Sequence, residues 1–170
     1  MPMSATPSKS DPRTATSVRP DNPGVRLPPP VFYVAGFLIG HVIESRFPLP
    51  FFARPIGIAV GLALAAVGIL FIVTAIPTML RGHGTLNTAA PSASLVTSGP
   101  YAFSRNPMYM GLVLVYSGLV CLFAVTWAAP ILLLLILYTQ VGVIAPEERY
   151  LDRTFGDTYR VYRKRVRRWL

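Results

Sequence analysis

An arginine motif and a pair of glutamates are the residues of this chain whose types and spacing point to chemistry. Arg105 opens the motif Arg-Asn-Pro-Met-Tyr at residues 105–109, and Glu147 and Glu148 follow far downstream. A guanidinium holds a carboxylate through paired hydrogen bonds, and a carboxylate attracts an ammonium or sulfonium group. If the two motifs meet in the fold, they form a site suited to a small zwitterion.

The stretch between the two motifs is apolar throughout. Residues 108–146 carry no charged side chain. A helix needs ~20 residues to cross the hydrocarbon layer of a membrane, and this run is nearly twice as long. We therefore expect two crossings joined by a tight turn at Trp127, where an indole suits the membrane interface. Such a hairpin returns the glutamates to the membrane face that holds Arg105.

Composition agrees with a membrane protein of one domain. Hydrophobic residues make up 52% of the chain and charged residues 14%, and the net charge is +9. The basic residues cluster beside apolar runs, which favours anionic lipid over nucleic acid as their partner. A single cysteine, Cys121, falls inside a predicted span, so we expect neither an intrachain disulfide nor a metal site.

The hydrophobic pattern predicts an all-α integral membrane bundle of about four transmembrane helices, ending in a basic amphipathic interfacial helix. We expect a disordered, proline-rich tail at residues 1–26 and a membrane domain at 27–170. The predicted spans are 27–43, 56–80, 108–125 and 128–145, and the polar regions 81–107 and 146–170 share one face. Basic residues place that face and both termini in the cytosol, with only Arg46 and Arg54 on the other side.

An aromatic stripe follows the last span at helical spacing. Basic residues fill the other faces of this helix, and Gly156 interrupts it. Two roles stay open for the helix: an anchor in the headgroup layer, or one wall of a cofactor pocket. The stripe consists of Leu151, Phe155, Tyr159, Tyr162, Val166 and Trp169.

Each motif also has a purely structural interpretation. Asn106 followed by Pro107 is a helix-start signal, with the asparagine as the cap. Arg105 can reach lipid phosphates, and Pro146 followed by two carboxylates begins a helix well. The combined charge pattern matches S-adenosylmethionine, and it also matches an amino acid or a phospholipid headgroup.

Residues 95–111 (LVTSGPYAFSRNPMYMG), the apolar hairpin and residues 147–159 (EERYLDRTFGDTY) together resemble a superfamily of integral membrane enzymes, the isoprenylcysteine carboxyl methyltransferases and phospholipid methyltransferases. The resemblance extends over roughly residues 81–168. The family pattern is Arg-His-Pro-x-Tyr, a helical hairpin and then Glu-Glu. It implies a cytosol-facing pocket for S-adenosylmethionine that opens sideways to lipid.

Carried over residue by residue, the resemblance implies catalytic roles for Arg105 and Glu147. Asn106 stands where the family has histidine, which excludes any role that needs a titrating imidazole at that position. The residues that the resemblance implies for cofactor binding are Tyr101, Asn106, Pro107, Tyr109 and Glu148.

The expected activity is S-adenosylmethionine-dependent methyl transfer to a lipophilic acceptor at a bacterial cytoplasmic membrane. A carboxylate acceptor needs no base, which favours an isoprenylcysteine carboxyl O-methyltransferase; the alternative is a phospholipid (ethanolamine) N-methyltransferase. A membrane reductase using NADPH and a non-catalytic membrane protein are the alternatives of another class. His83 is expected in a solvent-exposed loop.

Overall fold

The computed structural model describes residues 28–49, 54–82 and 94–170. Within these ranges the chain is mostly helical and forms no strand. The predicted tail at residues 1–26 and His83 lie outside the described residues. The helices are α1 (Pro29–Arg46), α2 (Arg54–Arg81), α3 (Pro107–Phe123), α4 (Ala128–Tyr138) and α5 (Ala145–Arg165), with a 3-10 turn at Gly99–Ala102 and a π-helical segment at Thr139–Ile144.

A helix, a turn and a second helix lie where the sequence predicts the hairpin. α3 ends where Ala124 adopts the left-handed conformation (φ 54°, ψ 40°), and Trp127 stands at the start of α4, as the sequence predicts. The first helix differs from the span predicted at residues 27–43, because α1 continues past residue 43 to Arg46. The helix carries on through Glu44 because that carboxylate is used within the protein, accepting hydrogen bonds from the backbone N–H groups of Leu49 (2.8 Å) and Trp127 (3.1 Å).

The helix that follows the turn runs through α4, the π-helical segment and α5, and it is kinked at Gly156 within α5. By length and composition, this helix and α2 are each long and apolar enough to cross a membrane. α3 is apolar but shorter. The outward faces of the two long helices expose large apolar side chains, including Leu133, Leu134 and Leu137 on α4. A contiguous apolar surface of this kind suits contact with lipid or with another protein.

Reciprocal glycine contacts hold α2 against α3. A Cβ atom at Gly61 would lie 2.8 Å from the carbonyl oxygen of Gly118, and one at Gly118 would lie 2.7 Å from that of Gly61. Gly68 and Gly111 form the second pair, with the equivalent distances 2.7 and 2.8 Å. Helices in lipid approach closely where small residues face each other. This packing fixes the depth of α3, and so the position of the motif that precedes it.

Gly68→Val tests this packing, with Ala66→Val on the exposed face of the same helix as the matched control. The new side chain at Gly68 meets backbone atoms of α3, the carbonyl oxygen of Gly111 at 2.7 Å among them, so the helices must separate. We expect a loss of about 1–3 kcal/mol, or a fall of several degrees in the thermal midpoint of the detergent-solubilised protein. Equal midpoints for the two variants would contradict the proposed contact.

Candidate active site

The hairpin brings the arginine motif and the glutamate pair together. Arg105 lies just before α3, and Glu148 lies in the first turn of α5. Their side chains form an ion pair, with 2.7 Å between Nη1 and Oε1, and each side chain is only 11% exposed. Nη1 of Arg105 also donates to the hydroxyl of Tyr159 at 3.2 Å. The guanidinium is therefore used inside the protein, and the alternative in which it reaches out to lipid phosphates does not hold.

Residues 166–170, which we call the C-terminal strap, return to this ion pair. α5 ends at Arg165, and Val166 is extended (φ −116°, ψ 130°). The strap then runs beside the arginine motif, where the backbone N–H of Arg105 donates to the carbonyl oxygen of Arg167 at 3.0 Å. The predicted helical stripe through Trp169 is thus wrong at its end, because main-chain pairing with residue 105 requires an extended backbone.

Arg168 is the functional candidate that sequence reasoning missed. Its Nε donates to Oε1 of Glu148 at 3.0 Å, and its Nη2 contacts the other carboxylate oxygen. One carboxylate is therefore shared by the guanidinium groups of Arg105 and Arg168. Arg168 lies in a run of basic residues, and none of its local sequence features separates it from its neighbours.

Asn106 and Ser104 fasten the strap. The side-chain amide of Asn106 donates to the carbonyl oxygen of Arg168 at 2.9 Å, and the hydroxyl of Ser104, which is fully buried, donates to the same oxygen at 3.4 Å. Asn106 precedes α3, but its side chain makes no capping hydrogen bond, so the cap expected from it is wrong. The amide is committed to the strap instead. Pro107 occupies the first turn of α3 as predicted and is buried.

Glu147 has a different environment from Glu148. It accepts a hydrogen bond from the hydroxyl of Tyr109 at 2.8 Å and forms no ion pair among the described residues. Glu147 follows the apolar run, outside the predicted spans. Burial raises the pKa of Glu147 to about 7, the neighbouring charge of Glu148 adds to the increase, and the hydrogen bond from Tyr109 opposes it. Glu147 therefore exchanges a proton near neutral pH.

A kink at Gly156 turns the second half of α5 back over the site. Gly156 has φ 50° and ψ −123°, a conformation that side chains with a Cβ rarely adopt. Beyond it, Tyr159 contacts Arg105, and the hydroxyl of Tyr162 donates to the carbonyl oxygen of Tyr101 at 2.7 Å. The interruption predicted at Gly156 is confirmed. Tyr159 and Tyr162 are buried against the protein, so this part of the stripe forms a wall of the site.

Two buried donors at the site have no hydrogen-bond partner among the described residues. They are the hydroxyl of Tyr101 and Nε of Arg105. Burial, together with the charges of Tyr162 and Glu147, raises the pKa of Tyr101, so its hydroxyl stays protonated and able to donate. Buried donors without partners are costly and usually mark a missing partner. A carboxylate accepts hydrogen bonds from donors of this kind, and a carboxylate such as that of Glu147 attracts a cationic group.

The chain is similar in sequence to known proteins. The sequence profile described as phospholipid methyltransferase matches residues 56–158, which include most of α2, the hairpin and both motifs. The chain is also similar to an uncharacterized protein of Haemophilus influenzae (strain ATCC 51907 / DSM 11121 / KW20 / Rd), with 43% identity over 47 residues, or 28% of this chain and 71% of that protein. No solved structure matches the chain significantly.

Arg168→Gln tests whether the strap is part of the site, with Arg167→Gln as the matched control. Loss of the second guanidinium leaves Glu148 paired with Arg105 alone and releases the strap from α5. We expect the free energy of unfolding to fall by about 1–3 kcal/mol for Arg168→Gln and to change by less than about 0.5 kcal/mol for the exposed Arg167. Thermal unfolding in detergent measures both, and equal effects would remove Arg168 from the site.

Proposed function

Since the chain belongs to the phospholipid methyltransferase family, we propose that it transfers a methyl group from S-adenosylmethionine to a lipophilic acceptor at the cytosolic face of a membrane. The observation that carries the proposal is the pair of unlike carboxylates: Glu148 is paired with two guanidinium groups, and burial raises the pKa of Glu147 to about 7. Together with the unpartnered donors of Tyr101 and Arg105, they complement a zwitterionic cofactor and a reacting centre that releases a proton.

S-adenosylmethionine would supply a methyl group on a positively charged sulfur. We propose that Nε of Arg105 and the hydroxyl of Tyr101 hold its carboxylate, and that Tyr109 and Glu147 line the cationic part. Glu148 acts as a positioning residue, since both of its oxygens are already bound by guanidinium groups. Asn106 contributes by fastening the strap that carries Arg168.

The acceptor is best matched by a headgroup amine. A protonated amine must lose a proton before it can attack, and a buried carboxylate with a pKa near neutrality is suited to take that proton. The absence of histidine from the motif favours a carboxylate acceptor of the isoprenylcysteine type on sequence grounds. The carboxylate of Glu147, with its raised pKa, can serve as the base in place of a histidine. An ethanolamine-type phospholipid is therefore the acceptor that we propose.

Four crossings with both termini in the cytosol fit this proposal. α2 and the helix that begins at Ala128 are long and apolar enough to cross a membrane. The shorter apolar helix α3 packs against α2, and α1 packs against α4. In this arrangement the arginine motif and the strap lie at the cytosolic headgroups, and the reacting end of a lipid reaches Glu147 without leaving the bilayer. The same side faces the soluble cofactor.

Glu147→Gln and Arg105→Lys test the roles of these two residues. The amide cannot accept a proton, and lysine cannot offer the paired donors of a guanidinium, so each variant should lose at least about a hundredfold in methyl transfer. Arg149→Gln, on the exposed side of the same helix turn, is the control and should keep its activity. The assay follows labelled S-adenosylmethionine into a lipid extract with the full chain in vesicles.

The same assay discriminates between the alternatives. Identification of the labelled product separates an amine acceptor from a carboxyl acceptor. Binding of S-adenosylmethionine, with no binding of NADPH, separates a methyltransferase from a reductase. Absence of binding to S-adenosylmethionine, or full activity in both site variants, would refute the proposed function.

The pH dependence of methyl transfer should report Glu147. A carboxyl is a base only in its ionised form, so the rate should increase as pH rises through about 7 and level off above it. The hydrogen bond from Tyr109 lowers the pKa of Glu147, so Tyr109→Phe should move this rise to higher pH. The rate of each protein between pH 5.5 and 9 is the measurement. A shift to lower pH in Tyr109→Phe would contradict the assignment.

A further inference from the structure

Gln140 is an amide side chain within the apolar run, in the π-helical segment between α4 and α5. Its Oε1 accepts a hydrogen bond from the indole N–H of Trp169 at 3.0 Å. Its amide nitrogen donates to none of the described residues, and the side chain is partly exposed on the outer surface. A polar group at membrane depth is costly and usually has a functional partner.

Trp169 of the C-terminal strap fixes the orientation of this amide. The indole packs against Tyr109, Val143 and Ile144, the cluster next to the hydrogen bond between Tyr109 and Glu147. Because the indole donates to the oxygen of the amide, the nitrogen is the end left for a ligand. The strap thus contacts both the polar site around Glu148 and the side-chain amide of Gln140 within the apolar run.

The distance between Gln140 and Glu147 along the helix can be compared with the dimensions of the two candidate acceptors. Seven residues separate the two along one continuous helix, which corresponds to roughly 10 Å along its axis. In a diacyl phospholipid, about nine covalent bonds, on the order of 10 Å when extended, separate a headgroup amine from the ester carbonyl. In a prenylated cysteine, only hydrocarbon lies at that distance from the carboxylate. Gln140 therefore matches an ester-linked lipid.

We propose that the side-chain amide of Gln140 donates a hydrogen bond to an ester carbonyl of the acceptor lipid, and that Trp169 orients the amide for this contact. This inference rests on the proposed function and adds a second recognition point to it. The amide selects the ester linkage, and the site around Glu147 selects the headgroup. Gln140 is a specificity residue, remote from the reacting atoms.

The test compares two acceptors that differ only in this linkage: dioleoyl phosphatidylethanolamine and the diether lipid with the same headgroup and chains. Full-length protein is assayed with labelled S-adenosylmethionine in vesicles that contain one or the other. We expect kcat/KM to be about five to ten times higher with the diester, the effect of one neutral hydrogen bond. The Gln140→Met variant should methylate both lipids with equal kcat/KM, and its KM for S-adenosylmethionine should be unchanged.

Val141→Met, on the exposed face of the same segment, is the matched control and should keep the preference for the diester. Trp169→Phe keeps the aromatic ring but loses the indole donor, and it should reduce the preference without abolishing methyl transfer. Equal use of both lipids by the wild-type protein overturns the inference, as does a preserved preference in Gln140→Met.

Failure of the inference is distinguishable from failure of the proposed function. If the protein methylates a prenylated cysteine that has a free carboxylate, and neither phospholipid, the role proposed for Gln140 is wrong. The protein would still be an S-adenosylmethionine-dependent methyltransferase. Absence of cofactor binding in the wild-type protein overturns both. Binding is measured separately by equilibrium dialysis of labelled S-adenosylmethionine, which requires no acceptor.

Discussion

The carboxylate of Glu148 joins three parts of the chain that are remote in sequence. It contacts Arg105 before α3 and Arg168 in the C-terminal strap, and it belongs itself to the first turn of α5. A carboxylate this far removed from water is tolerated only when it is paired and hydrogen-bonded. The pairing is satisfied only if the hairpin closes, Gly156 bends the helix and the strap returns. The same interaction therefore defines both the fold of the polar region and the shape of the site.

The apolar helices set the geometry that this ion pair requires. The glycine contacts between α2 and α3 fix where α3 begins, and Glu44 ties the end of α1 to the turn before α4. At the π-helical segment, the hydroxyl of Tyr33 on α1 lies 3.1 Å from that of Thr139, both buried. A π-helical turn changes which face the following residues present, and such turns are frequent at functional sites. Here it immediately precedes α5, whose first turn carries the glutamate pair.

Local periodicity explains what the sequence predicts well and what it does not. The four apolar runs and the hairpin follow from hydrophobicity and length, which act along the chain, and the interruption at Gly156 follows from glycine in a helical pattern. The return of the strap depends on backbone pairing between Arg105 and Arg167, a contact across the fold that no local pattern encodes. For the same reason Arg168 resembles its basic neighbours, and Asn106 resembles a helix cap although its amide binds the strap.

The two glutamates are adjacent in sequence, and their different environments divide the chemistry between them. Both carboxylate oxygens of Glu148 are bound by guanidinium groups, so this side chain organises the site. Among the described residues, Glu147 has a tyrosine hydroxyl as its one partner, and burial together with the negative charge next to it opposes ionisation. Burial is the largest cause of the increase in the pKa of Glu147, and the charge of Glu148 adds to it, so loss of that charge would lower the pKa of Glu147 only in part. A fixed anion beside a titrating acid is how neighbouring carboxylates take separate roles in one pocket.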